Sequence, residues 1–238
     1  MSQGKSGVTG VDGTTRTPQT AEEIATHLTE AVHEHRVLPG MKLSEDEVGD
    51  IYGVGRTVVR QALRHLAHDG LLRIERNRGA FVAKPTVKEA REVFEARALL
   101  EPSIARAAAE RATSADIATL ERHIREEHAA LDAGEPGLAL KLSGHFHVEI
   151  ARIADQATIE GFIRQLVSRS SLVIALYWRR RNAMCESHAH HALINALRQH
   201  DGQAAEDLMK GHLLDLLSQL DLRDHAEEVL SLREALAR

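Results

Sequence analysis

The chain is poor in the residues that build β-sandwiches, disulfide scaffolds and membrane spans. Aromatic residues make up 3% of its 238 positions and there are only 5 prolines. A large sheet is therefore disfavoured, while the recurrence of Ala, Leu, Glu and Arg favours a mainly α-helical protein. The single cysteine, Cys185, excludes an internal disulfide framework and a cysteine-rich zinc module, and suits a reducing, cytoplasmic setting. No apolar run approaches the length of a membrane span. Residues 1–18, rich in Gly, Ser and Thr, lack the hydrophobic stretch of a secretory signal and read as a disordered tail.

Net positive charge is missing too: the chain carries −5 with its histidines neutral, which disfavours a general polyanion binder. Its distribution says more. Residues 19–50 hold Arg36 and Lys42 against eight carboxylates. Residues 51–84 reverse the balance, with Arg56, Arg60, Arg64, Arg73, Arg76, Arg78 and Lys84 against Asp69 and Glu75.

Thr20-Ala-Glu-Glu23 has the form of a capping box and predicts a first helix running to about Arg36. Pro39-Gly40 breaks the chain, and Ser44-Glu-Asp-Glu47 repeats the capping signature ahead of a short helix with Val48 and Ile51 inward. After Gly53-Val54-Gly55, residues Val59, Ala62, Leu63 and Leu66 mark the apolar face of a third helix, and Arg56, Thr57, Arg60 and Arg64 fall near the opposite face. Leu71–Glu75 and Ala80–Ala83 then form a hairpin, the only convincing β-structure, with Arg76, Arg78 and Gly79 at its tip. A short helix, a turn, a basic helix and a basic-tipped hairpin, in that order, predict a winged helix-turn-helix over residues 19–84. Arg56, Thr57, Arg60 and Arg64 would face duplex DNA, and Arg78 and Gly79 would approach the minor groove.

This first domain resembles the GntR transcriptional regulators. The likeness rests on Leu43-Ser-Glu-Asp-Glu-Val48, Val54-Gly-Arg-Thr-Val-Val-Arg-Gln-Ala-Leu63 and Leu66-Ala-His-Asp-Gly-Leu71. It implies that Arg56, Thr57 and Arg60 touch operator DNA and that Gly79 is the wing tip. Gly55 stands where the family usually has a serine that caps the recognition helix, a mild loss. Asp46 stands where relatives often carry an arginine that touches the DNA backbone, which removes one phosphate partner.

Thr86-Val-Lys-Glu89 opens a second domain, residues 85–238, which breaks into six or seven amphipathic segments and predicts a helical bundle. It is similar to the FCD type of the FadR-like branch, through Val93-Phe-Glu-Ala-Arg97, Leu100-Glu-Pro102, Ala107-Ala-Ala-Glu-Arg111, Phe146-His147, His190 and His212. That resemblance implies a divalent metal, zinc or nickel, on His147, His190 and His212, with Ser143 in place of the family's aspartate. It also implies that Arg97 and Ser143 line a pocket for a small carboxylate effector. Three neutral imidazoles leave the ion's charge uncompensated, which favours such an acid. His145, His188 and His191 are expected at the surface, and Trp178 in the core.

Together these readings describe a homodimeric repressor of a catabolic operon. Two other classes remain to be weighed. A metal enzyme would use the same three histidines, yet no general-base motif such as H-E-x-x-H accompanies them. A purely structural helical adaptor would not need the switch from acidic to basic between residues 50 and 51.

Overall fold

The computed structural model describes residues 8–9, 15–16, 18–178 and 186–223. Within the expected disordered tail, β1 (Val8–Thr9) pairs antiparallel with β2 (Thr15–Arg16). Cys185 and the triplet Arg179 to Arg181 lie outside the described residues.

Helix α1 (Ala21–His33) begins at the expected capping box: the Thr20 hydroxyl accepts from the Glu23 amide, and the Glu23 carboxylate accepts from that of Thr20. It turns Ile24, Leu28 and Val32 inward. Strand β3 (Lys42–Leu43) follows, so the hairpin is not the only β-structure of this half. In α2 (Glu45–Tyr52), Ser44 occupies the N-cap without a side-chain bond. The acidic first turn, Glu45, Asp46 and Glu47, complements the helix dipole instead. Ile51, expected inward, is 62% exposed. The buried face of this short helix is Val48 and Tyr52, four residues apart, and the Tyr52 hydroxyl meets His27 Nδ1 at 2.7 Å.

Gly53, in the left-handed region at φ +68°, ends α2. Helix α3 (Arg56–His68) buries Val59, Ala62, Leu63 and Leu66 as its periodicity requires. Strands β4 (Leu72–Glu75) and β5 (Gly79–Val82) pair from Leu72↔Val82 to Glu75↔Gly79, and β3 adds to the far side of β5.

The remainder is helical: α4 (Val87–Arg111), α5 (Ser114–Asp132), α6 (Pro136–Ile153), α7 (Ala157–Tyr177), α8 (Glu186–Arg198) and α9 (Gly202–Ser218). Capping boxes at Thr86/Glu89 and Thr113/Asp116 start α4 and α5. The central α4 packs along α9, α7 and α6 around Phe94, Ile104, Leu120, Phe146 and Ile163. Each such side chain contributes about 1.5–3 kcal/mol on burial. Trp178 packs partly buried against this core and bridges to Leu220, as expected.

The two halves are joined by more than the chain at residue 85. Leu172 of α7, 1% exposed, belongs to the core of the winged half. Tyr177 donates its hydroxyl to the Pro85 carbonyl at 2.8 Å. Lys141 of α6 pairs with Glu30 and Glu34 of the first helical segment at 3.1 and 3.0 Å. A Cβ on Gly137 would lie 1.9 Å from the Glu34 carbonyl oxygen, so only glycine allows this approach.

His33 is buried at this junction, its Nε2 without a hydrogen-bond partner. Burial, with His145 and Lys141 nearby, depresses its pKa from 6.5 to about 4. The folded state therefore resists a proton that the unfolded chain accepts below pH 6.5. Stability is complete above that pH and falls as pH drops toward 4, by up to about 3 kcal/mol from this group. Chelator-treated His33→Leu protein should lose less melting temperature between pH 7 and pH 5 than chelator-treated wild type. Parallel curves would show that His33 contributes nothing to the acid sensitivity.

Candidate functional site

Two sets of side chains stand out, one on each half. On the winged half, α3 presents Arg56, Thr57, Arg60 and Arg64, all exposed. Arg60 Nε lies 2.8 and 3.0 Å from the Glu45 carboxylate oxygens, and Arg56 Nε lies 2.8 Å from Asp46 Oδ1. The acidic start of α2 thus holds both guanidinium groups beside the helix. At the wing, Asn77 and Gly79 take positive φ values of +63° and +102°, which turn the chain tightly. Arg78 bonds Glu75 at 2.5 Å and sits 5.5 Å from the Phe81 ring centroid, with Lys42 Nζ at 6.0 Å from the same ring. Lys42, in the segment that reads as acidic, is therefore a member of the basic surface, carried there by β3.

In the bundle, His147 of α6, His190 of α8 and His212 of α9 converge, with one ligand atom from each lying within 4.8 Å of the others. All three are buried, His190 completely. Burial pushes their pKa values down, to about 4 for His147, about 3 for His190 and well below 6.5 for His212. Each imidazole is thus neutral near pH 7, the state in which it offers a lone pair.

A carboxylate orients one of the rings, and a second carboxylate lies near another. Glu101 Oε2 meets His147 Nδ1 at 2.7 Å, which fixes the proton there and leaves Nε2 pointing at His212 Nε2, 3.2 Å away. Two imidazole nitrogens on one tetrahedral zinc lie about 3.3 Å apart. Glu101 is fully buried, which opposes its ionisation, but Arg97 and His147 hold its pKa down to about 2. Arg97 Nε reaches Glu101 Oε1 at 2.5 Å, and its Nη1 donates to Ser170 Oγ at 3.2 Å. Glu127 Oε2 lies 3.4 Å from His190 Nδ1. Both nitrogens of His190 and that oxygen are buried without a hydrogen-bond partner. Burial raises the Glu127 pKa to about 7. Neutral nitrogen donors, buried orphan atoms and carboxylate support suit a divalent transition metal such as zinc.

One member of the triad, His147, lines a cavity of about 550 Å³. Arg97, Ser143, His147 and Ser170 line its bundle side, and Thr29, Glu30 and His33 of α1 line the other.

Residues 20–82 match the family described as bacterial regulatory proteins, gntR family, and residues 92–215 match the FCD domain. The chain belongs to the GntR family, with an FCD domain as its second half. It is 31% identical over 169 residues to the Nta operon transcriptional regulator of Aminobacter aminovorans, covering 70% of this chain and 79% of that protein. It is 29% identical over 184 residues to the HTH-type transcriptional repressor RspR of Escherichia coli, covering 76% and 79%. A transcriptional regulator GntR from a Rhodococcus species shares the fold, with a TM-score of 0.74 at 23% identity over 84% of this chain and 96% of that one.

This GntR protein is accordingly a DNA-binding transcriptional regulator. The family and these relatives regulate transcription rather than catalyse, which removes the metal-enzyme alternative and leaves no role for a purely structural adaptor. Among the described residues no helix is long and apolar enough to cross a membrane.

The structure brings the three predicted histidines together and places Ser143, buried, on the cavity wall. His145, His188 and His191 are exposed, as expected. Arg97 lines the cavity but spends one edge of its guanidinium on Glu101. Nothing in the sequence indicated that Glu101 bonds His147 or that Glu127 lies beside His190. Glu101 lay within the quoted Leu100-Glu-Pro102, whereas Glu127 reads as one more charge on an exposed face.

Asp46 also pairs with Arg56 at 2.8 Å, so it would compete with any phosphate that Arg56 meets. Asp46→Ala should therefore raise affinity for operator duplex a few-fold, through one fewer like charge beside the backbone and a freed guanidinium. Fluorescence anisotropy at two salt concentrations measures this, and an affinity equal to or below that of wild type would count against the competition.

Proposed function

We propose that this regulator is a homodimeric repressor whose operator affinity is set by a small carboxylic acid, bound beside a divalent ion, zinc or nickel, on His147, His190 and His212. The observation that carries the reading is the convergence of three buried, neutral imidazoles, one of which, His147, lines a cavity that also touches the DNA-binding half. When bound, the ion supplies a fixed positive charge for an effector oxygen. Arg97 supplies donors beside it, because Nη1 and Nη2 each keep one N–H beyond those given to Ser170 and Glu101. Ser143 offers no carboxylate, so room and charge are left for the ligand's own.

The lining of the cavity supports a route from occupancy to DNA. Lys141 lines it and is tied to Glu30 and Glu34, and the orphaned Nε2 of His33 belongs to a residue that also lines it. An acid that draws Lys141 away from those glutamates loosens the hold of α6 on α1 and changes the placement of the recognition helix. The repressor name of the relative RspR supports repression. Leu99 of α4, 79% exposed, and Phe162 of α7, 54% exposed, support a face for a second copy.

Chelator-stripped and zinc-loaded protein should be compared for binding of small carboxylic acids by calorimetry, and for operator affinity with and without the acid that binds. Acid binding confined to the loaded form, with altered DNA affinity, is the expected result. Acids that bind both forms equally would refute the metal-assisted pocket, and a monomer by ultracentrifugation with and without DNA would refute the dimer.

A further inference from the structure

We propose that Glu127 is the positioning carboxylate of the metal centre, holding His190 in its ligating tautomer and supplying the negative charge that Ser143 does not. This rests on the metal reading above and extends it to a residue on a different helix.

A neutral imidazole carries one proton, so if Nε2 of His190 binds a cation, Nδ1 must bear an N–H. His190 is 0% exposed, so no bulk water reaches that N–H, and it needs a protein acceptor. Among the described residues the group in place is Glu127 Oε2, 3.4 Å from Nδ1 and itself without a partner. A slight rotation closes the contact into a hydrogen bond. The arrangement resembles, at a second ring of the triad, the Glu101 contact to His147 Nδ1 at 2.7 Å.

The two glutamates differ in charge balance. Glu101 is paired with Arg97, so that couple is neutral as a unit. Glu127 faces no arginine or lysine within ion-pair distance among the described residues, so a bound ion would be the cation that holds its buried carboxylate in the ionised form. Phe146 stacks on His190 with ring centroids 4.3 Å apart and blocks movement of that ring toward it. A divalent ion with one such carboxylate keeps a single net positive charge. The effector class that cancels it is a monocarboxylate, which narrows the expectation from the triad alone.

The test uses full-length protein, zinc competition against a chromophoric chelator, and the visible absorption of the cobalt-substituted form. Glu127→Met should weaken zinc about 10–100-fold, the usual cost of losing an outer partner, and alter the cobalt spectrum. The same substitution should leave the melting temperature of chelated protein unchanged or higher, because it removes a buried carboxylate that has no partner there. A residue with a merely structural role would lower both quantities. Glu127→Asp should recover part of the affinity, and Ser143→Asp added to Glu127→Met should recover most of it by restoring a carboxylate beside the ion. Wild type and Glu127→Met holding zinc with equal affinity would overturn this proposal while leaving the three-histidine site intact. Wild-type protein that takes up neither zinc nor cobalt would overturn the metal reading and this proposal with it.

Discussion

Alanine at Arg56 or Arg60 is expected to lower affinity for operator duplex roughly tenfold to a hundredfold each, with the double substitution leaving only weak, non-specific binding. Both guanidinium groups are more than half exposed, and their partners Asp46 and Glu45 are themselves accessible. Ion pairs of this kind exchange readily for phosphate or base edges, since in water they contribute little by themselves. The dependence of binding on salt should flatten with each substitution, by about one unit of the log–log slope for every phosphate that the protein ceases to neutralise. Anisotropy of a labelled duplex across a potassium chloride series gives both quantities. Unchanged affinity and unchanged slope in the double variant would place the DNA surface elsewhere.

Replacement of His147 by alanine should have the second largest effect. It removes one donor and leaves Glu101 without its imidazole partner, so zinc affinity should fall by more than about a hundredfold, beyond the usual cost of losing an outer partner alone. Zinc at about a hundred times its dissociation constant stabilises a folded protein by about 2.7 kcal/mol. For a chain of this size that is a rise in Tm of roughly 5–11 °C. Wild type should show the rise and His147→Ala should not, in matched thermal scans after chelation. A zinc-dependent rise of equal size in both would show that the ion binds elsewhere.

The contrast between what sequence revealed and what it hid follows from range. The apolar face of α3 and the capping boxes at Thr20 and Thr86 depend on neighbours within one or two helical turns, and the pattern displays them directly. At Ser44 the same local signature produced a helix start without the side-chain bond, and the acidic first turn of α2 complements the helix dipole in its place. Ile51 points outward because a helix of 8 residues has one narrow contact face, which Val48 and Tyr52 fill. The triad itself was legible through a family resemblance rather than through spacing. His147 and His212 stand 65 residues apart, and nothing local links them. Glu127 was hidden for the same reason: its meaning lies in His190, on a helix that meets α5 only in the folded bundle.

Leu172 has a consequence for engineering. It is donated by the bundle to fill the interior of the winged half, so cutting the chain at residue 85 takes the plug out of the head. The vacated space would cost the fragment about 2–5 kcal/mol, a large share of what a unit of that size possesses. Grafting this head onto a foreign bundle requires an apolar side chain of matching volume presented at the same spot. Head and body here are a fitted pair, and exchange between relatives succeeds only where the plug travels with its socket.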